Sequence, residues 1–100
     1  MRLNNKEIEI IKSETVSWFG KNALVYLFGS RVDDSKAGGD IDLLICNSNN
    51  GNEMELNEQK LKMLARLKML IGDQKIDILL QKQNDQRTIV KTALNTGVEL

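Results

Sequence analysis

A chain of 100 residues, 41% hydrophobic and 28% charged, has the composition of an ordinary globular protein and the length for one hydrophobic core, so residues 1–100 read as one domain. Fourteen basic residues balance fourteen acidic ones, which argues against a surface that coats nucleic acid or adsorbs to a membrane. With no histidine and a single cysteine, Cys46, histidine acid–base catalysis, the serine–histidine triad, the cysteine–histidine dyad, a zinc site and an internal disulfide are excluded; carboxylates, lysines, hydroxyls and metal remain.

The N-terminal stretch mixes charges into its apolar residues, unlike a signal peptide, and no run approaches the roughly twenty apolar residues of a membrane span, so a cytoplasmic protein is expected. Residues 5–19 carry Ile8, Ile11, Thr15, Trp18 and Phe19 at helical spacing, and Gly20 follows as a stop. Residues 23–28 are nearly all apolar, which predicts a strand buried on both faces. A glycine-containing connection over 29–39, with room for one helical turn, leads to a second strand at 40–46. The polar cluster at 47–52 ends in Asn52, which with Glu55 has the form of a capping box. The helix it opens runs to Ile71, with Leu61, Leu64, Leu67, Leu70 and Ile71 read as its inner face and Gly72 as its end. A third strand is expected over 75–81. Asp85 then reads as the cap of a last helix through Asn95, with Ile89, Val90, Ala93 and Leu94 inward and Gly97 as its stop. This alternation predicts an α/β (α+β) fold: a small mixed β-sheet with helices packed on one side and its carboxylates at an exposed end.

Those carboxylates carry the chemistry. Asp40 and Asp42 open the second strand two residues apart, and strand residues i and i+2 project to the same side. Like charges brought together repel and are costly to bury unless something positive lies between them; a divalent cation with hard oxygen ligands, typically Mg²⁺, is the usual compensator. Asp77 interrupts the aliphatic third strand in the same way. A solvated strand start is the alternative reading of Asp40 and Asp42, and an exposed edge-strand face that of Asp77. Gly29-Ser30, where the first strand ends, offers close backbone approach, N–H groups and a hydroxyl to phosphate oxygens. A triphosphate gripped there would lie across a metal held by Asp40 and Asp42, and Asp77 would complete a second metal position.

Phe28-Gly29-Ser30-Arg31, then Gly38-Gly39-Asp40-Ile41-Asp42-Leu43-Leu44-Ile45, and later Lys75-Ile76-Asp77-Ile78 together resemble the minimal nucleotidyltransferases of the DNA polymerase beta superfamily, over most of the chain. The resemblance implies that Gly29 and Ser30 hold the nucleotide phosphates and that Arg31 reaches a phosphate or the acceptor. It makes Asp40 and Asp42 metal ligands, and gives Asp77 the catalytic metal and a share in deprotonating the acceptor hydroxyl. The implied reaction is in-line attack of a hydroxyl on the α-phosphate of ATP at a two-ion Mg²⁺ site, with release of pyrophosphate. Small stand-alone members in bacteria and archaea are often encoded beside a HEPN-domain toxin and act as its antitoxin, in several cases by transferring AMP to it. A HEPN-type protein partner is therefore implied, in a hetero-oligomer or beside a homo-oligomer. An antitoxin or regulatory nucleotide-binding module that docks without turnover is the alternative.

Overall fold

The computed structural model of the chain describes residues 3–32, 40–48 and 51–100, with Ser30 and Arg31 described in their backbone only. Helix α1 spans Asn5–Phe19. Its first turn is closed by reciprocal hydrogen bonds: the Glu7 N–H donates to Asn4 Oδ1 at 2.8 Å, and the Asn4 N–H donates to Glu7 Oε1 at 3.1 Å. Such a cap satisfies two otherwise orphaned donors and contributes about 1 kcal/mol. On the inner face, Ile11 and Phe19 are fully buried, and the buried Thr15 hydroxyl donates to the Ile11 carbonyl at 2.7 Å. Helix α2, Glu53–Ile71, is capped by Asn52, the Glu55 N–H donating to Asn52 Oδ1 at 2.8 Å; the expected box is only half formed, because Glu55 Oε1 accepts from the Asn52 side-chain amide at 3.1 Å.

Strands β1 (Leu24–Phe28), β2 (Ile41–Cys46), β3 (Ile76–Leu80) and β4 (Val98–Glu99) form one sheet in the order β3-β2-β1-β4. β1 runs antiparallel to both its neighbours, and β2 runs parallel to β3. A parallel pair needs a long crossover, and α2 supplies it. β4 departs from the sequence reading, in which Gly97 only ended a helix. The Gly97 N–H does close α3 (Thr88–Thr96) on the Ala93 carbonyl, but the chain then turns onto β1, and Leu100 donates to the Val25 carbonyl at 2.9 Å.

The apolar residues of the sheet divide between two layers. On one face Val25, Leu27, Ile41, Leu43, Ile45, Ile76 and Ile78 pack with Ile11 and Phe19 of α1 and Met63 and Leu67 of α2. On the other, Leu44 and Cys46 pack with Val90 and Ala93 of α3. Helices therefore cover both faces, not one as expected. The cause is legible in β2, where 43–46 are apolar on both sides and each side must be taken out of water.

Three local expectations are corrected. The inner face of α2 is Met63 and Leu67 flanked by Leu56, Leu64 and Ile71, while Leu61 and Leu70 stay exposed. Successive steps of three residues drift around a helix of 3.6 residues per turn, so the leucines at 61, 64, 67 and 70 cannot share one face. Ile89 and Leu94 of α3 are likewise exposed, leaving Val90 and Ala93 to make the contact. Asp85 does not cap α3, whose N-cap is Arg87; its carboxylate is taken up by the Lys82 and Arg87 backbone N–H groups and the Arg87 guanidinium. Among the described residues no helix is long and apolar enough to cross a membrane.

Candidate active site

The site is built where β1 ends and β2 begins. Antiparallel pairing sets Phe28 opposite Asp42, and the next residue, Gly29, starts a 3-10 helix over Gly29–Val32, a helical turn within the described part of the connection. Gly29 has φ +78°, a conformation that side-chain-bearing residues rarely adopt. Space imposes the same choice. A β-carbon added there would collide with Asp42 Oδ2 and come within 3.3 Å of its Cγ. The glycine that ends β1 therefore lies directly against the Asp42 carboxylate.

Across the sheet, parallel pairing brings Ile41 level with Ile76 and Asp42 level with Asp77. Adjacent strands lie about 4.8 Å apart, so the two aspartates are immediate neighbours on the face that α3 covers farther along. Asp42 is the one residue of β2 that is not buried, and Asp77 is exposed. Asp40 immediately precedes β2 and is half-buried. Burial pushes the Asp42 carboxyl above its ordinary range; the charges of Asp77 and then Asp40 push it further, and Lys75 pulls it partly back. The charges of both Asp77 and Asp40 thus bear on Asp42. Among the described residues, however, no three acidic, cysteine or histidine side chains converge into a ready cage for a metal ion. The Lys75 ammonium lies 3.5 Å from Asp40 Oδ2, and the Ile41 N–H donates to the Lys75 carbonyl at 3.0 Å.

The donor set is all carboxylate, held in mutual repulsion and half out of water, which fits a hard divalent cation. Asp42 and Asp77 are the natural pair for it, with Asp40 available once released from Lys75. Lys75 is the residue that the sequence reading passed over. Its signal was the Lys-x-Asp spacing of 75–77, which puts the ammonium on the same side of β3 as Asp77. The predicted phosphate-binding backbone of Gly29 and Ser30 sits at the start of the 3-10 turn. The Ser30 and Arg31 side chains, and the Asp33-Asp34 loop, lie outside the described residues.

A comparison with curated proteins finds no match for this chain. The family model described as "Polymerase beta, Nucleotidyltransferase" matches residues 5–100, so that α1, the glycine turn and all three aspartates fall within it. A mixed four-stranded sheet flanked by helices, with carboxylates gathered beside a glycine turn, agrees with that match: the chain belongs to the polymerase beta nucleotidyltransferase family.

Proposed function

We propose that this chain transfers AMP from ATP to a hydroxyl on a partner protein of the HEPN type, and so acts as the antitoxin of a toxin–antitoxin pair. The observation that carries the transferase reading is the pairing of Asp42 with Asp77 directly against Gly29. It sets two carboxylates and an open, glycine-lined backbone turn side by side, the donors that a metal-bound triphosphate needs. Asp40, Asp42 and Asp77 would hold Mg²⁺, which supplies charge neutralisation at the phosphates and activation of the attacking oxygen. The backbone N–H groups at Gly29 and Ser30 would bind the phosphate oxygens, with Arg31 beside them.

In the reaction, the acceptor oxygen forms a bond to the α-phosphorus as the bond from that phosphorus to the bridging oxygen breaks. Pyrophosphate leaves with the electron pair. The acceptor's proton passes to a carboxylate, a role that suits Asp77 because it is the exposed member of the pair. A second reading, docking onto the partner without turnover, is favoured by one observation: Lys75 already occupies one side of Asp40.

One experiment separates the two readings. The partner is incubated with this chain, Mg²⁺ and ATP, beside an Asp42→Asn variant, and its intact mass is measured. The transferase reading expects the partner to gain AMP with the wild-type chain only. An unmodified partner in a stable complex with both chains would refute it in favour of docking.

A further inference from the structure

Helix α2 has a second apolar face that the fold leaves in water. Met54, Leu61 and Met69 are 80%, 63% and 79% exposed, and Ala65 between them is exposed as well. At about 100° per residue the four positions span about 80° of the helix circumference over about 22 Å, directed away from Met63 and Leu67, with Glu58 within the same arc. Their spacing of seven, four and four residues is that of a helix–helix seam, not of scattered surface residues.

The charges around the stripe say what covers it. Glu55 and Glu58 lie on the N-terminal side of Leu61 beside the stripe, and Lys62 and Lys68 on its C-terminal side. A helix with that asymmetry complements an antiparallel copy of itself. The register follows from the apolar positions. When Leu61 meets Leu61 of a second copy, Met54 falls one residue's rise from the level of the second copy's Met69, and Glu58 comes within one turn of the second copy's Lys62. Within the chain Glu58 and Lys62 already pair at 3.6 Å, both largely exposed. The two-fold arrangement would join the two pairs into a ring of four charges of alternating sign, with the small Ala65 leaving room beside it.

We infer that this chain forms an isologous homodimer through antiparallel packing of α2 on α2, with Leu61 on the two-fold axis. The residues involved are remote from Asp42 and Gly29, so the inference does not depend on the proposed activity. Two helices over this length cover less than the roughly 800 Å² per partner of a standard interface, so the dimer is one that exchanges with monomer.

Sedimentation velocity from low micromolar to millimolar concentration tests it. The weight-average mass should climb from 11.3 kDa toward twice that value. Leu61→Glu should weaken the dimer at least tenfold with an unchanged circular-dichroism spectrum, since the position is exposed. Glu58→Lys and Lys62→Glu should each weaken self-association, because either makes all four charges of the ring alike. Mixing the two variants should restore a dimer, since a chain with two positive charges in the ring then meets a chain with two negative ones. A wild-type chain that stays monomeric throughout, a Leu61→Glu variant that associates normally, or a mixture that fails to recover would overturn the inference. So would a complex in which a different protein covers this face while the chain alone remains monomeric.

Discussion

Replacing Gly29 with alanine tests the geometry of the site most directly, because two independent constraints meet at that residue. The first is conformational. At φ +78° an L-residue with a β-carbon costs about 1–2 kcal/mol relative to glycine. The second is spatial, and its cost depends on what can move. The new methyl group would overlap Asp42 Oδ2 and stand 3.6 Å from the Asp42 Cβ. The overlapped atom is the end of a side chain, so rotation of the carboxylate clears the collision without shifting β2. The stability loss should therefore stay near the conformational cost, about 1–2 kcal/mol, or roughly 4–16 °C in Tm for a chain of this size. Function should suffer more than stability, because the rotation moves Asp42 off Asp77 and away from the turn. A displacement of about 1 Å at a reacting centre can cost about a hundredfold in rate. Urea unfolding and the rate of the proposed AMP transfer, measured on the same preparation, separate the two effects. An alanine variant that kept wild-type stability and wild-type transfer would refute the claim that Gly29 sets the position of Asp42.

Two further predictions concern packing and pH. Leu67→Ala, in the fully buried face of α2, should cost about 2–5 kcal/mol by urea unfolding, while Ile89→Ala on α3 should fall within about 0.5 kcal/mol of wild type, although sequence spacing makes both look like core. Comparable losses at both positions would show that α3 is misplaced. The Asp85 carboxyl, only 2% exposed, is held well below the usual carboxylate range, first by hydrogen bonds from the Arg87 side chain and then by the Lys82 N–H. A depressed folded-state value contributes stability above the ordinary aspartate value near 3.9 and loses it as pH falls toward the folded-state value. Asp85→Asn should therefore lower Tm at pH 7, and its gap to wild type should close as the pH drops below about 4. A gap independent of pH would mean that the charge of Asp85 contributes nothing.

Much of this arrangement can be read from local sequence, and the exceptions share a cause. The apolar runs at 24–28 and 41–46 declare strands, and Asn52 with Glu55 declares the start of α2; each signal is complete within a few residues. The two-residue β4 has no such signal, because it exists through hydrogen bonds to β1 some seventy residues earlier. The side of the sheet taken by α3 is equally invisible in its own pattern; it is fixed by the second apolar face of β2. Asp85 misleads for the opposite reason. It is a good helix cap by residue type, but Arg87 two residues later competes for the same oxygens and, with its Nη2 also bound to the Leu80 carbonyl at 2.7 Å, wins them. At the site, the grouping of Asp40, Asp42 and Asp77 is evident from residue type, whereas the exact level of Asp77 beside Asp42 and the hold of Lys75 on Asp40 depend on the register of two distant strands.

That register also explains why the fold tolerates so unfavourable a cluster. Asp42 projects to the face covered by α3, yet α3 has only nine residues, about 14 Å of helix, and its buried residues meet Leu44 and Cys46 instead. The end of the sheet that bears the carboxylates is left open, so water still reaches Asp77 and part of Asp42. A longer α3 would bury both charges and cost several kcal/mol for each unpaired ion. Lys75 offsets part of the repulsion by sitting against Asp40, but its side chain is 73% exposed, and ion pairs of that kind contribute about 0–1 kcal/mol. So weak a contact is no barrier to a doubly charged ion, which would interact with all three carboxylates where Lys75 neutralises one.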